Sequence, residues 1–520
     1  MSYVRFQTNL ALEVEESSGH RLVTFAMSTA SAGEDRPFIL ILCHTLSGHL
    51  APLIRIAAAL HTLGWQTFFL GPNAHRHRIE AAGSIFIPLS GNADLDDKEY
   101  YENPPSGATY TSMHWSERVL VDIRVQCLNP LPTQWSDVKA ALASLHARDP
   151  GRGVIVLAEA FFYGVLPLFY GTSLPDGIPN PLGSVCVSVT VPAIRSVDLP
   201  PAGYPFPFDA SPEGRLRNTK LWERSWTRKA ADLTTLLNVK MWQAGAERGV
   251  GEVFLSGANY TAHNSILQLG VPSFEYPRSD WPSGFKFAGL VQGAPKQSSR
   301  PAPTTKDPPF PWWPEIISNS TLPPANRKKI LVVSQGTVET NPYDLIIPTL
   351  RAFAPSHTNS SSPSSSSSIL VVAILGWKDA DLSQHADFAI PKNARVADYL
   401  SYDTVLAHAD VWIHNAGFGA VNHGVANGVP MVVAGEGMDK TENARRVAWS
   451  GIGVDLGTAT PSAEQVRDGV EWVLRDDRYS GRVRELQRES EEIDCFDIIH
   501  SELLTVMEER PGIIQRGLTP

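Results

Sequence analysis

Two kinds of apolar pattern alternate along this chain. Phe38-Ile39-Leu40-Ile41-Leu42-Cys43 is a continuous apolar run. Such a run suits a strand buried on both faces of a parallel sheet. After a short turn, Leu50 to Leu63 carries Leu53, Ile54, Ala57, Ala58 and Leu60 at mixed 3/4 spacing. That spacing predicts a helix, with Gly64 as its C-cap. Thr67-Phe68-Phe69-Leu70 reads as the next strand, ending at Gly71-Pro72. Strand, helix, strand in this order is a βαβ unit, and successive units imply a parallel sheet.

The pattern recurs. Gly153 to Leu157 and Val185 to Val191 read as strands, and Trp222 to Gly249 as helical. Gly289 to Pro324 is dense in Pro, Ser and Trp and reads as a structured linker. A second series of strands follows at Ile330–Val333, Ile369–Leu375, Val411–Ile413 and Pro430–Ala434. Val466–Leu474 and Val483–Ile493 read as closing helices. The expected organisation is an N-terminal extension (1–36), a first α/β domain (37–292) and a Pro-rich linker (293–328). A second α/β domain (329–495) with a Ser-rich loop (357–368) and a C-terminal helix and tail (496–520) complete it. The fold class is α/β: two Rossmann-like domains facing each other across a cleft. Ligands of open α/β sheets bind outside the carboxyl ends of the strands, so those ends should face the cleft.

Charge and cysteine content narrow the function. With 44 Lys+Arg against 54 Asp+Glu the formal charge is −10, a poor balance for a nucleic-acid binder. The four cysteines (Cys43, Cys127, Cys186, Cys495) lie far apart, which excludes a disulfide scaffold or a zinc ribbon. No run of 18 apolar residues marks a membrane span, and Met1 to Gly19 lacks a signal-peptide pattern. Cytoplasmic residence is the default expectation. The oligomeric state is not readable.

The most informative stretch is Ala394 to Thr458. Asn415-Ala416-Gly417-Phe418-Gly419-Ala420-Val421-Asn422-His423-Gly424 follows a strand and opens a helix. Backbone N–H groups at such a helix start favour a diphosphate, and Gly417 and Gly419 allow close approach. An ordinary βα turn is the alternative. Gly428-Val429-Pro430, Gly435-Glu436-Gly437-Met438-Asp439-Lys440 and Asn443-Ala444-Arg445-Arg446-Val447 follow.

This arrangement resembles the donor-binding signature of family 1 nucleotide-sugar glycosyltransferases, which have the two-domain GT-B fold. It is most similar to the fungal and bacterial natural-product branch, over roughly Pro37 to Leu504. The resemblance implies that Tyr399 stacks on uracil and that Gly336-Thr337 contacts the diphosphate. It places Asp439 on sugar hydroxyls and Ala420 in the helix start. Three positions depart from the common pattern. Asn415 stands at the usual phosphate-binding His, His423 at the frequent ribose-binding Glu, and Lys440 at the frequent Gln. A solvated surface lysine is the alternative for Lys440.

Two further matches lie in the first half. Ser47-Gly48-His49-Leu50-Ala51-Pro52 follows the first strand and resembles the turn that presents the family's catalytic base, His49 here. A polar helix cap is the alternative. Ala158-Glu159-Ala160-Phe161-Phe162 is placed like the family's Asp-Ala-Phe segment, whose carboxylate holds the base. Phe161 and Phe162 are then candidate acceptor-pocket walls. The resemblance implies an inverting transferase moving a sugar, glucose from UDP-glucose by family habit, to a small lipophilic hydroxyl acceptor. No metal or other cofactor is expected. A nucleotide-sugar epimerase or hydrolase of the same fold, or a non-catalytic binding relative, are the competing readings. His75-Arg76-His77 and the Asp379/Asp381 pair read as solvated loops. Gly451 to Gly457 is glycine-rich but has the reverse of the dinucleotide-binding order.

Overall fold

The computed structural model describes residues 36–516, apart from 106, 205, 292–309, 337–338, 356–367 and 386, together with a two-residue antiparallel strand pair, Leu12–Glu13 and Thr24–Phe25. Most of the expected N-terminal extension, much of the linker, the Ser-rich loop up to residue 367 and Thr337 lie outside the described residues.

The first sheet contains β1 (Phe38–Leu42), β2 (Thr67–Gly71), β3 (Ile85–Pro88) and β4 (Val154–Glu159). β5 (Gly183–Ser188), β6 (Ser265–Leu269) and β7 (Phe285–Gly289) complete it. Its order is β3-β2-β1-β4-β5-β6-β7, with every pair parallel. Phe38, Leu40 and Leu42 join one core and Ile39 and Ile41 the other, the period of two expected where both faces are covered. Helix α1 (Ser47–Thr62) covers one face through Leu50, Leu53, Ile56 and Leu60; helix α2 (Leu131–Arg148) covers the other.

The second sheet is built from β8 (Lys329–Ser334), β9 (Ile369–Ile374), β10 (Ala394–Ala397), β11 (Val411–His414), β12 (Met431–Val433) and β13 (Gly453–Asp455). Its order is β10-β9-β8-β11-β12-β13, again parallel throughout. Helix α3 (Phe418–Ala426) follows β11 and helix α4 (Lys440–Ser450) follows β12. The helix Trp313–Thr321, inside the expected linker, packs Trp313 and Ile316 beneath β8 and β9. This domain's packing therefore starts before residue 329.

Two features set the geometry between the domains. One apolar cluster runs from Ile39, Leu53 and Val187 of the first domain to Phe418, Val421, Met431 and Val447 of the second. The last helix, α5 (Cys495–Glu509), returns to the first domain and lies against α1, β5 and β7. There Trp65 Nε1 donates to His500 Nδ1 at 2.8 Å, and Lys286 Nζ meets Glu502 Oε2 at 2.6 Å. Among the described residues, no helix is long and apolar enough to cross a membrane.

Each sheet reverses its strand order once, between β1 and β4 and between β8 and β11. Open α/β sheets bind ligands at such switch points, outside the carboxyl ends of the strands. The residues that leave these four strands are His44–His49, Glu159–Phe161, Gln335–Gly336 and Asn415–Gly417.

Candidate active site

At the first switch point Leu42 of β1 is in register with Ala158 of β4. This brings His49, in the first turn of α1, to the last residue of β4. His49 Nδ1 lies 3.1 Å from Glu159 Oε1. The pair meets ion-pair distance without hydrogen-bond geometry, and the Glu159 oxygens have no hydrogen-bond partner among the described residues. Contacts of this kind tighten when substrate binds. The imidazole is also edge-on to Phe161, with ring centroids 5.7 Å apart, and to His44 at 5.1 Å.

Burial alone would lower the His49 pKa, because it penalises the charged ring. The Glu159 carboxylate reverses this, Asp439 and Asp97 add to it, and the net shift is upward from the ordinary histidine value. Asp439 belongs to the second domain, so the candidate sugar-binding acid shares one electrostatic field with the candidate base. The neighbouring His44 is different. Burial, then repulsion from His49, holds it well below the ordinary value, so it stays neutral.

Phe161 is half-buried beside His49, whereas Phe162 is only 1% exposed and belongs to the core under β4. Phe162 therefore cannot be an acceptor-pocket wall. The chain turns immediately after Glu159, so only one of the two adjacent rings faces the cleft.

At the second switch point Ala416 adopts a left-handed backbone, φ +60°, uncommon for a residue with a side chain. His414 and Asn443 hold it there. Ala416 N donates to His414 Nδ1 at 3.1 Å, and Asn443 Nδ2 donates to Ala416 O at 2.8 Å. Burial pushes His414 down to about 3, so it is a neutral brace. The turn delivers Gly417 as the N-cap of α3. A side chain at Gly419 would meet nothing within 4 Å, so the surface over this helix start is open. Gly336, φ +76°, lies beside the Asn415 side chain.

Asn415 Nδ2 donates to Gln335 O and to Glu339 Oε2, the latter at 3.1 Å. Lys440 Nζ lies 3.1 Å from the other Glu339 oxygen, and the lysine side chain is only 8% exposed. The solvated alternative for Lys440 is therefore excluded. Burial opposes the charge on Lys440, but Glu339 and Asp439 more than restore it, so its pKa is raised. Asp439, just before α4, accepts from Asn443 Nδ2 at 3.0 Å. Asn415, Lys440, Asp439 and the α3 start thus gather at one place.

Two expected donor residues lie toward the edges. Tyr399, just past β10, is 64% exposed, an open ring face. His423 Nδ1 lies 2.6 Å from Asp403 Oδ1. Burial pushes Asp403 up, but His423, Asn427 and Arg55 outweigh it and hold its carboxyl down at about 2. Arg55 Nη1 of α1 stands 3.6 Å from Asp403 Oδ2, so His423 sits in an interdomain polar chain. Asp379 N donates to Asp398 Oδ2 at 2.8 Å and Asp381 accepts from Ser383 N in a local turn, and no cluster of three or more metal-ligating side chains occurs among the described residues.

Sequence reasoning missed Glu339, His44, Asp97 and the brace of His414 and Asn443. Only the close spacing of Glu339 to Gly336 carried a signal.

Residues 372–495 match the family described as Erythromycin biosynthesis protein CIII-like, C-terminal domain. UDP-glycosyltransferase 2 of Phaeomoniella chlamydospora is 33% identical over 470 residues, covering 90% of this chain and 95% of the relative. UDP-glucosyltransferase 1 of Beauveria bassiana is also 33% identical, over 90% of this chain and 94% of its own length. Among solved structures, the calicheamicin glycosyltransferase CalG4 is similar in fold, with a TM-score of 0.59 at 18% identity, over 92% of this chain and 99% of that one. With two α/β domains of this fold and such identity over nearly the whole length, the chain belongs to the family 1 UDP-dependent glycosyltransferases, enzymes that move a sugar from a nucleotide donor to an acceptor.

Proposed function

We propose that this enzyme moves glucose from UDP-glucose to a hydroxyl of a small lipophilic acceptor, inverting the anomeric centre. The observation that carries the reading is the His49–Glu159 pair at one switch point, within the field of Asp439 from the other domain. Glucose follows the relatives named as UDP-glucosyltransferases. A phenolic, polyketide or terpenoid acceptor follows the half-buried Phe161 ring and the natural-product transferases of like fold.

Glu159 faces Nδ1 of His49, so Nε2 is the nitrogen that takes the acceptor proton. The freed oxygen attacks the anomeric carbon in a single displacement while the bond to UDP breaks. Glu159 orients the ring and stabilises its charged form, as a carboxylate does for histidine in hydrolases. Asp439 holds sugar hydroxyls, and Tyr399 stacks on the base. The diphosphate exchanges with the Glu339 carboxylate at Asn415 and Lys440, and the α3 start meets its remaining charge. Thr337 belongs to the same proposed donor set. His423, tied to Asp403, reaches the donor only through the edge of that polar chain.

Lys440 and the helix start supply the positive potential that a metal would otherwise provide. Activity therefore survives EDTA; loss on chelation with recovery in Mg²⁺ or Mn²⁺ would refute this part. A cytoplasmic location belongs to the same reading, supported by four buried free cysteines. The decisive test is product analysis with UDP-glucose and a panel of phenolic and terpenoid acceptors, preceded by thermal shift. UDP at about 100 times its Kd should add about 2.7 kcal/mol. A glycoside product supports the reading, whereas free glucose or an epimerised donor overturns it.

A further inference from the structure

A helix start leaves its first backbone N–H groups without intrahelical partners, and Ser, Thr, Asp or Asn normally supplies a cap. Helix α1, which carries His49 in its first turn, has Leu46 at that position and no cap of its own. Its partner comes from far along the chain. Ser47 N donates to Asp97 Oδ2 at 2.8 Å, and Ser47 Oγ donates to Asp97 Oδ1 at 3.0 Å. Asp97 is 3% exposed. Burying a carboxylate is costly unless its oxygens are satisfied, and here each oxygen receives a donor from the residue two positions before His49.

We propose that Asp97 is a positioning residue for His49, clamping through both carboxylate oxygens the helix start that presents the imidazole. The proposal rests on the reading of His49 as the base. The clamp is two-sided, because Asp97 opens its own helix (Asp97–Glu102) and Asp96 caps that helix by accepting from Lys98 N at 3.0 Å. The acid is thereby fixed before it meets Ser47. Ser47 Oγ also lies 3.3 Å from His75 Nε2, so the hydroxyl is held in one rotamer. The result is a rigid start to α1 at the point where an ångström of displacement would separate His49 from an acceptor oxygen.

Asp97 also contributes charge. The groups facing His49 are Glu159 from β4, Asp439 from the second domain, Asp97 from its own short helix and the neutral His44 ring. Two of the three acids have other tasks in the reaction. Asp97 has none, so its removal separates positioning from substrate contact.

The test uses the full-length protein. Asp97→Asn keeps the shape but removes the charge and turns an NH₂ group toward one of the two Ser47 donors. It should lower kcat by about tenfold or more, within the roughly 10²-fold cost of an ångström of misplacement. UDP affinity should be unchanged. The acid limb of kcat/KM should move to lower pH, because losing a nearby anion lowers the pH at which His49 becomes neutral. Ser47→Ala, which keeps Asp97 and its bond to Ser47 N, should lower kcat by less and leave that limb in place. NMR titration of the His49 ring in wild type and Asp97→Asn reads the coupling directly, whether or not glycoside forms. A lower ring pKa in a protein that transfers no sugar would sustain the clamp and defeat the function. Unchanged kcat and unchanged His49 titration in Asp97→Asn would overturn the clamp. If that variant fails to fold, Ser47→Ala with wild-type kcat has the same force.

Discussion

Arg446 Nε lies 2.9 and 2.8 Å from the two carboxylate oxygens of Glu275, and both side chains are buried. Glu275 belongs to the first domain and Arg446 to helix α4 of the second, so this forked pair joins the two halves beside the cleft. Arg446 also meets Glu442 Oε2 at 3.1 Å and lies over the Tyr276 ring at 4.6 Å. Breaking a buried pair by removing one partner costs about 3–5 kcal/mol, whereas an apolar replacement of both is often neutral. Glu275→Ala is expected near the lower end, because Glu442 still meets the guanidinium. Thermal unfolding of Glu275→Ala and of the double variant Glu275→Leu/Arg446→Met checks this. The single variant should melt lower, and the double variant should recover most of the loss.

His49→Ala should reduce transfer by roughly 10²–10⁴-fold, the range for a general base, and leave UDP binding nearly unchanged. The pH dependence gives an independent reading. His49 acts when neutral, and its pKa is raised, so kcat/KM should climb as pH rises through a value above the ordinary histidine one. Glu159→Gln removes the largest of the charges that raise it, and that limb should shift to lower pH while the maximum rate falls. An unmoved limb would remove Glu159 from the dyad. Glu159→Asp, the carboxylate common in the family, should keep more activity than Glu159→Ala.

Glu339 shares Lys440 and Asn415 with the proposed diphosphate. Glu339→Gln keeps the side chain's shape and removes its competing charge. A part-exposed ion pair is worth about 0.2–1 kcal/mol, so UDP should bind up to about fivefold more tightly, since 1.4 kcal/mol is tenfold. Calorimetric titration of UDP decides. Weaker binding would mean that Glu339 itself holds the donor.

Tyr399→Ala should weaken UDP by about 1–3 kcal/mol, the value of one base stacked on an aromatic side chain. Tyr399→Trp should retain most of the affinity. Equal Kd values for wild type and Tyr399→Ala would make the ring a bystander at the end of β10.

What the sequence disclosed follows the physics of burial. β1, β8 and β9 were legible because burial on both faces writes a continuous apolar run. β3 was not, because its residues are only partly covered and it ends at Pro88. β6 hides behind Gln268, which is buried and donates to the backbone oxygens of Thr190 and Leu269. His49, Glu159 and Asn415 were legible because each ends or follows a buried strand at a switch point. Asp97 and Glu339 were not, because their partners are fixed by tertiary contact: nothing local joins Asp97 to Ser47. Lys440 was ambiguous for the same reason, since only Glu339 distinguishes a buried lysine from a solvated one on an amphipathic helix. The Phe161–Phe162 pair was misjudged because the turn after β4, invisible in composition, sends one ring to the cleft and the other to the core.

Helix α5 has a consequence for how the protein is made. The first sheet ends at Gly289, but the helix that covers β5 and β7 is Cys495–Glu509. Ile493, just before it, lies against Gly289, and Val506 lies against Gly183. On a ribosome adding about 5–20 residues per second, roughly 10–40 s separate the last strand from its cover. During that interval Val185, Val187 and their neighbours on that face have no lid, while the second domain is still being made. The first domain to emerge is thus the last to close, and the nascent chain should need a chaperone at this face until Ile499 and Leu503 arrive.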